Sequence, residues 1–206
     1  MSFRDDFFER QSEIIEEYGW AVVHVLPSDD DPEGSVPFAY TVGLTGFGFP
    51  ELAIAGLDPE IGHQILNELA CRLCDDGLRL CHGLRIPDLI VDQEVVIVAG
   101  EATEEVFPGA ALARYGDDRV HLRQVVWPDL DDRFPWQEGY ESLLYPQPTI
   151  GAPPAGVAAR CRGFRGIPRG HGRRRPSAGA PPRRSRTVIT PSCFRCSMAR
   201  SMPASR

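Results

Sequence analysis

Trp20-Ala21-Val22-Val23-His24-Val25-Leu26, then Phe38-Ala39-Tyr40-Thr41-Val42-Gly43-Leu44, then Glu51-Leu52-Ala53-Ile54-Ala55-Gly56-Leu57 are the runs that decide the fold. Each is too short for a helix, rich in β-branched or aromatic residues, and bounded by Pro, Gly or Asp, which is the signature of consecutive strands. Between the first two lies an acidic turn carrying Asp29, Asp30, Asp31 and Gly34, so residues 20–44 read as a hairpin with a long loop. A Gly-rich aromatic connection, 45–50, leads into the third strand.

Upstream, Phe3, Phe7, Phe8, Ile14, Ile15 and Tyr18 recur at nearly 3.6 residues with acids between them. This pattern predicts an amphipathic helix, with Ser2 as N-cap and Gly19 as its stop. Downstream, Asp58 precedes Pro59 and Glu60, and Ile61, Ile65, Leu66, Leu69 and Leu73 form one stripe before Gly77, a capped helix packed on the sheet. Further strands are expected at 78–81, 94–99 and 120–127, with a short helix at 110–115. The whole reads as an α+β domain of two or three helices and a mostly antiparallel sheet, open or curled into a barrel.

Charge divides the 206 residues sharply. All 22 basic residues are Arg, and 13 of them fall in 151–206, where Asp and Glu are absent. Residues 1–150 therefore set nine Arg against all 29 acids, a net charge of −20. The tail, 152–206, consists mostly of Arg, Pro, Ala, Gly and Ser and cannot bury a core, so it is expected to be disordered. It is the product of out-of-frame translation of a GC-rich gene, a native solvated tail, or an arm for anionic surfaces. Nucleic-acid binding would rest with the tail alone, because the acidic domain repels phosphate. The N-terminus lacks a secretory pattern and no run is long enough for a membrane span, so a cytoplasmic protein with reduced thiols is expected.

Phe38-Ala39-Tyr40-Thr41-Val42-Gly43-Leu44 with Phe49-Pro50-Glu51-Leu52, followed by Gln124-Val125-Val126-Trp127-Pro128-Asp129, Phe134-Pro135-Trp136 and Gln147-Pro148, resembles the bacterial domain-of-unknown-function family 4262 over about residues 13–151. That family tends to place Gly in the turn where this chain has Asp131-Asp132, and its members end soon after the Gln-Pro element. The resemblance implies no activity.

Two clusters are candidate binding residues. Tyr40, Thr41 and Glu51 stand at a strand-to-loop junction and suit recognition of hydroxyls or proton transfer, or else a core tyrosine, a strand-forming threonine and a carboxylate capping the loop. Trp127, Asp129, Trp136 and Tyr140 belong to an aromatic, proline-rich stretch that would form a pocket wall or partner surface, or else seal one end of the sheet with Asp129 accepting backbone N–H bonds. Cys71-x-x-Cys74 with Cys81-His82 and His63 has partial zinc spacing but sits within a helix and lacks a second pair, so no metal is expected. Trp127-Pro128-Asp129 also occurs as a tyrosine-phosphatase loop motif, yet no Cys in the domain is followed six positions later by Arg. Gly43, Gly46 and Gly48 lead into a strand, not a helix, which excludes a dinucleotide fingerprint.

Three functions remain open: a non-enzymatic binding or interaction module, with an unidentified protein or small ligand; a flavin- or other cofactor-binding enzyme of split-barrel layout; and an acidic immunity or regulatory protein for a basic partner. No cofactor is assigned, and catalytic residues and oligomeric state stay unassigned.

Overall fold

The amphipathic N-terminal segment forms helix α1, Phe3–Tyr18, in a computed structural model that describes residues 3–155 and 186–191. Gly19 takes φ +94° and its N–H closes on the Ile15 carbonyl, which stops the helix where a side chain would be strained. The expected N-cap, Ser2, lies outside the described residues.

The three diagnostic runs become β1 (Ala21–Leu26), β2 (Phe38–Val42) and β3 (Glu51–Ala55), an antiparallel meander with Val23 opposite Tyr40 and Tyr40 opposite Ala53. Helix α2, Pro59–Asp75, follows, with the Asp58 side chain accepting the Glu60 N–H as an N-cap. Then come the hairpin β4 (Arg85–Ile90) and β5 (Gln93–Gly100), helix α3 (Gly109–Tyr115) and β6 (Leu122–Val126). β6 inserts between β5 and β3, antiparallel to the first and parallel to the second.

Six strands thus build an α+β sheet in the order β4-β5-β6-β3-β2-β1, and a seventh, β7 (Arg186–Pro191), pairs antiparallel with β1. The sheet does not close: β4 and β7 are its two edges, so the option of a barrel is corrected to an open sheet. The expected disorder of 152–206 also needs amending at 186–191, where Thr187, Val188, Ile189 and Thr190 supply a β-branched run. Residues 152–155 are described without helix or strand, and the rest of that expectation, 156–185 and 192–206, lies outside the described residues.

The strand expected at 78–81 is not formed. The chain turns there and β4 starts at Arg85, where Pro87 and the positive φ of Asp88 had obscured a strand. Proline is tolerated because β4 is an edge, and its pairing with β5 slips between Ile86 and Ile90.

Helices cover both faces. α2 packs Ile65, Leu66, Leu69 and Leu73 on Val22, Ala39, Leu52 and Ile54. A Cβ on Gly62 would lie 3.2 Å from the Ile54 side chain, so the missing side chain lets α2 approach the sheet closely. On the opposite face Val23, Tyr40, Val42, Ala53 and Val126 meet Ala110 and Ala111 of α3 and Phe7, Phe8 and Ile15 of α1. No helix among the described residues is long and apolar enough to cross a membrane.

Candidate functional site

Glu51 opens β3 and is completely buried. Its carboxylate accepts the Thr41 hydroxyl at 2.6 Å and the backbone N–H groups of Gly43 (3.0 Å) and Thr45 (2.9 Å), while Thr41 Oγ1 accepts the Leu52 N–H at 2.9 Å. These donors belong to the start of the 3-10 turn Leu44–Phe47, so the carboxylate caps that turn and ties the 43–50 connection to the sheet. Burial pushes the Glu51 carboxyl up, opposed by hydrogen bonds from Thr41, Thr45 and Gly43 that favour its ionised form.

Gly43 is indispensable to this cap. It takes φ +135°, and a Cβ there would run into the Gly19 carbonyl and Trp20. Tyr40 is buried beside the cap; its hydroxyl accepts the Ala110 N–H at 3.1 Å, and burial raises its pKa. Among the described residues the amide of Gln11, fully covered on α1, makes no hydrogen bond.

Trp127, Asp129, Trp136 and Tyr140 occupy the loop 127–150 that follows β6. Trp127 is buried, donates its indole N–H to the Ala55 carbonyl at 2.9 Å and meets Tyr145 edge to face at 5.9 Å. Gln147 clamps it, accepting the Trp127 N–H at 3.1 Å and donating to the Trp127 carbonyl at 2.9 Å. Buried Gln124 does the same for the chain's return, donating to the Pro148 carbonyl and accepting the Ile150 N–H. Tyr140 donates to the Tyr145 carbonyl at 2.6 Å, and the half-buried Trp136 stacks on Phe134 at 5.2 Å, with Arg85 over the Phe134 ring.

Asp129 organises the turn. Its carboxylate accepts the N–H groups of Asp131 (3.0 Å), Arg133 (2.9 Å) and, more loosely, Glu141 (3.4 Å). Burial works to raise its pKa, but the N–H bonds from Arg133, Asp131 and Glu141 and the Arg133 charge outweigh this and hold the carboxyl below its ordinary range. Asp132 takes φ +59°, left-handed backbone that favours Gly but admits Asp.

The two clusters do not converge. Glu51 begins β3 and Trp127 is bound to Ala55 at its end, four residues or roughly 13 Å away along the strand. Each cluster directs polar groups into hydrogen bonds to the chain. What faces solvent from the second loop instead is Leu130, Leu143 and Leu144, at 82%, 96% and 68% exposure. Sequence reasoning missed these leucines because an isolated exposed leucine looks like any other until the loop's path is known.

It also missed a chain of polar groups beneath α2. Trp20 donates its indole N–H to Asn67 at 2.9 Å, Asn67 Nδ2 lies 2.8 Å from His63 Nε2, and the His63 ring is 5.8 Å from that of His24 on β1. The spacing of His63 and Asn67, one helical turn apart, was the available signal. Burial first, then the neighbouring His63, pulls the His24 pKa down to about 4, against the pull of Asp58. A histidine whose folded pKa lies below its unfolded value of ~6.5 leaves stability untouched above that pH and subtracts it as pH falls toward 4. After discounting for partial solvation, His24→Gln is expected to remove about 2 kcal/mol of the acid-induced loss between pH 7 and pH 4. Urea midpoints of both proteins at the two pH values test this; parallel losses would sink it.

Cys71 and Cys74 are half-buried and pack against the core under α2, whereas Cys81 is disulfide-bonded, contrary to the expectation of reduced thiols throughout. Among the described residues no three His, Cys, Asp or Glu side chains gather as a metal-binding group.

No curated protein and no solved structure matches the chain. The family model described as Domain of unknown function (DUF4262) matches residues 14–141, from the second half of α1 through β6 and into the Asp129 turn. With more than half of its length matched, and with the AYTVGL strand, its glutamate cap and the Trp-Pro-Asp turn all inside that match, the chain belongs to the DUF4262 family.

Proposed function

We infer that this domain is a non-enzymatic interaction module whose partner-facing surface is the loop 127–150. The observation that carries the reading is a contrast within one loop. Its backbone is pinned by Trp127, Asp129, Gln147 and Tyr140, while Leu130, Leu143 and Leu144 stand almost wholly in solvent. Holding large apolar side chains rigidly in water has no benefit for folding, and a preorganised apolar surface loses little entropy on docking.

Asp131, Asp132, Glu138 and Glu141 belong to the same loop as these leucines and Arg133 is the one basic residue from 127 to 150, so the fitting partner presents an apolar pocket with a basic rim. Such a partner also agrees with the −20 charge of residues 1–150. The split-barrel enzyme reading loses its structural analogy with the open sheet.

The test is the Leu143→Ser/Leu144→Ser double variant. Exposed positions of this kind change stability by no more than about 0.5 kcal/mol, so melting should stay within ~2 °C of the parent. Proteins photo-crosslinked by the parent in its source cells should be lost with the variant and retained with an Asp30→Asn control. A crosslinking pattern indifferent to both leucines, or a small molecule copurifying in native mass spectra, would refute the reading.

A further inference from the structure

The family match ends at residue 141, and within it the sheet stops at β1; what completes the sheet is β7, with thirty residues between it and position 155. Six consecutive pairs form, from Leu26 opposite Arg186 to Ala21 opposite Pro191, with His24 opposite Val188 and Val23 opposite Ile189. α1 lies against both β1 and β7, so the edge is a groove with one helical wall. From Ala21 to His24 the β1 side chains are buried, and an unpaired edge there would leave a row of backbone N–H and C=O groups seeking partners.

The flanks of this groove carry a sign. α1 holds Asp5, Asp6, Glu9, Glu13, Glu16 and Glu17, and β1 runs from Leu26 into the turn with Asp29, Asp30, Asp31 and Glu33. The antiparallel register sets position 186, an arginine, at that acidic end, and position 191, a proline that cannot extend a ladder, at the other. Between them stand four consecutive β-branched residues.

We propose that the β1 edge is a strand-docking site for an extended segment of another protein, arginine at its N-terminal end and β-branched through its middle, and that Arg186–Pro191 occupies it in cis as a built-in competitor. Main-chain pairing supplies the affinity, and the acidic flank fixes direction and composition. A tethered strand competes at an effective concentration on the order of mM, so an incoming segment must outbid it or act when it is displaced.

The probe is a fluorescein-labelled peptide of residues 185–192, with a scrambled peptide of the same composition beside it. The full-length Val188→Pro/Ile189→Pro variant removes a ladder N–H whichever of the two faces β1. It is expected to bind the peptide about tenfold or more tightly than the parent does, the scrambled peptide binding neither. Equal binding by parent and variant, or equal binding of the scrambled peptide, overturns the proposal. A second measurement needs no variant: a photoreactive group at the Ile189 position of excess peptide should crosslink the parent at or next to Val23, and crosslinks elsewhere alone also overturn it.

Discussion

Glu51→Ala is expected to cost about 4 kcal/mol of folding stability and to lower the melting temperature by roughly 10 °C or more. The substitution strands three donors at once, the Thr41 hydroxyl and the N–H groups of Gly43 and Thr45, in a place with no solvent contact. Each orphaned buried donor costs on the order of 1–3 kcal/mol, and water entering the vacated space returns part of it. Glu51→Gln keeps an acceptor for the two backbone N–H groups but turns an NH2 toward Thr41, so a loss of about 1–2 kcal/mol is expected. The pH dependence separates the two causes. Because the folded-state pKa is raised above the unfolded value, the contribution of this carboxyl is full below the unfolded pKa and declines as pH rises through the folded one. The stability gap between the parent and Glu51→Gln should therefore narrow from pH 5 to pH 8 in chemical denaturation. A widening gap would mean that the hydrogen bonds, and not burial, dominate this group.

The same residue shows what the sequence could reveal. Local rules were sufficient for the three diagnostic strands, for α2 with its Asp58 cap, and for grouping Thr41 with Glu51 at one strand-to-loop junction, because each depends on neighbours within a few positions. They were insufficient wherever distant segments meet. Nothing in the pattern of 122–126 says that this strand enters between β5 and β3, since an apolar run fits any central slot. His24 and His63 stand 39 positions apart and become neighbours only when α2 lies across β1. Pro87 hid β4 because an edge position, which excuses a proline, is a property of the finished sheet. The glutamines 124 and 147 carried no motif at all, yet they fasten the loop through four hydrogen bonds that only the fold aligns.

Trp127→Ala is expected to cost about 4 kcal/mol, against about 1 kcal/mol for Trp136→Ala, although both rings belong to one aromatic stretch. Trp127 is buried between the end of β3 and Tyr145, and its loss opens a large cavity and orphans the Ala55 carbonyl. Trp136 is half-exposed and gives up mainly its stacking on Phe134. Thermal melts of the two variants measure the difference directly. Equal losses would show that the rings share the load and that the loop is held collectively. The expected inequality has a consequence for assigning function. Any binding defect in Trp127→Ala would come with a destabilised loop and so would say nothing about contact, whereas a defect in Leu143→Ser/Leu144→Ser at unchanged melting would locate the partner. The loop thus divides its labour by depth: the tryptophan that the sequence advertises holds the backbone still, and the leucines that it does not advertise are the ones left free to touch something else.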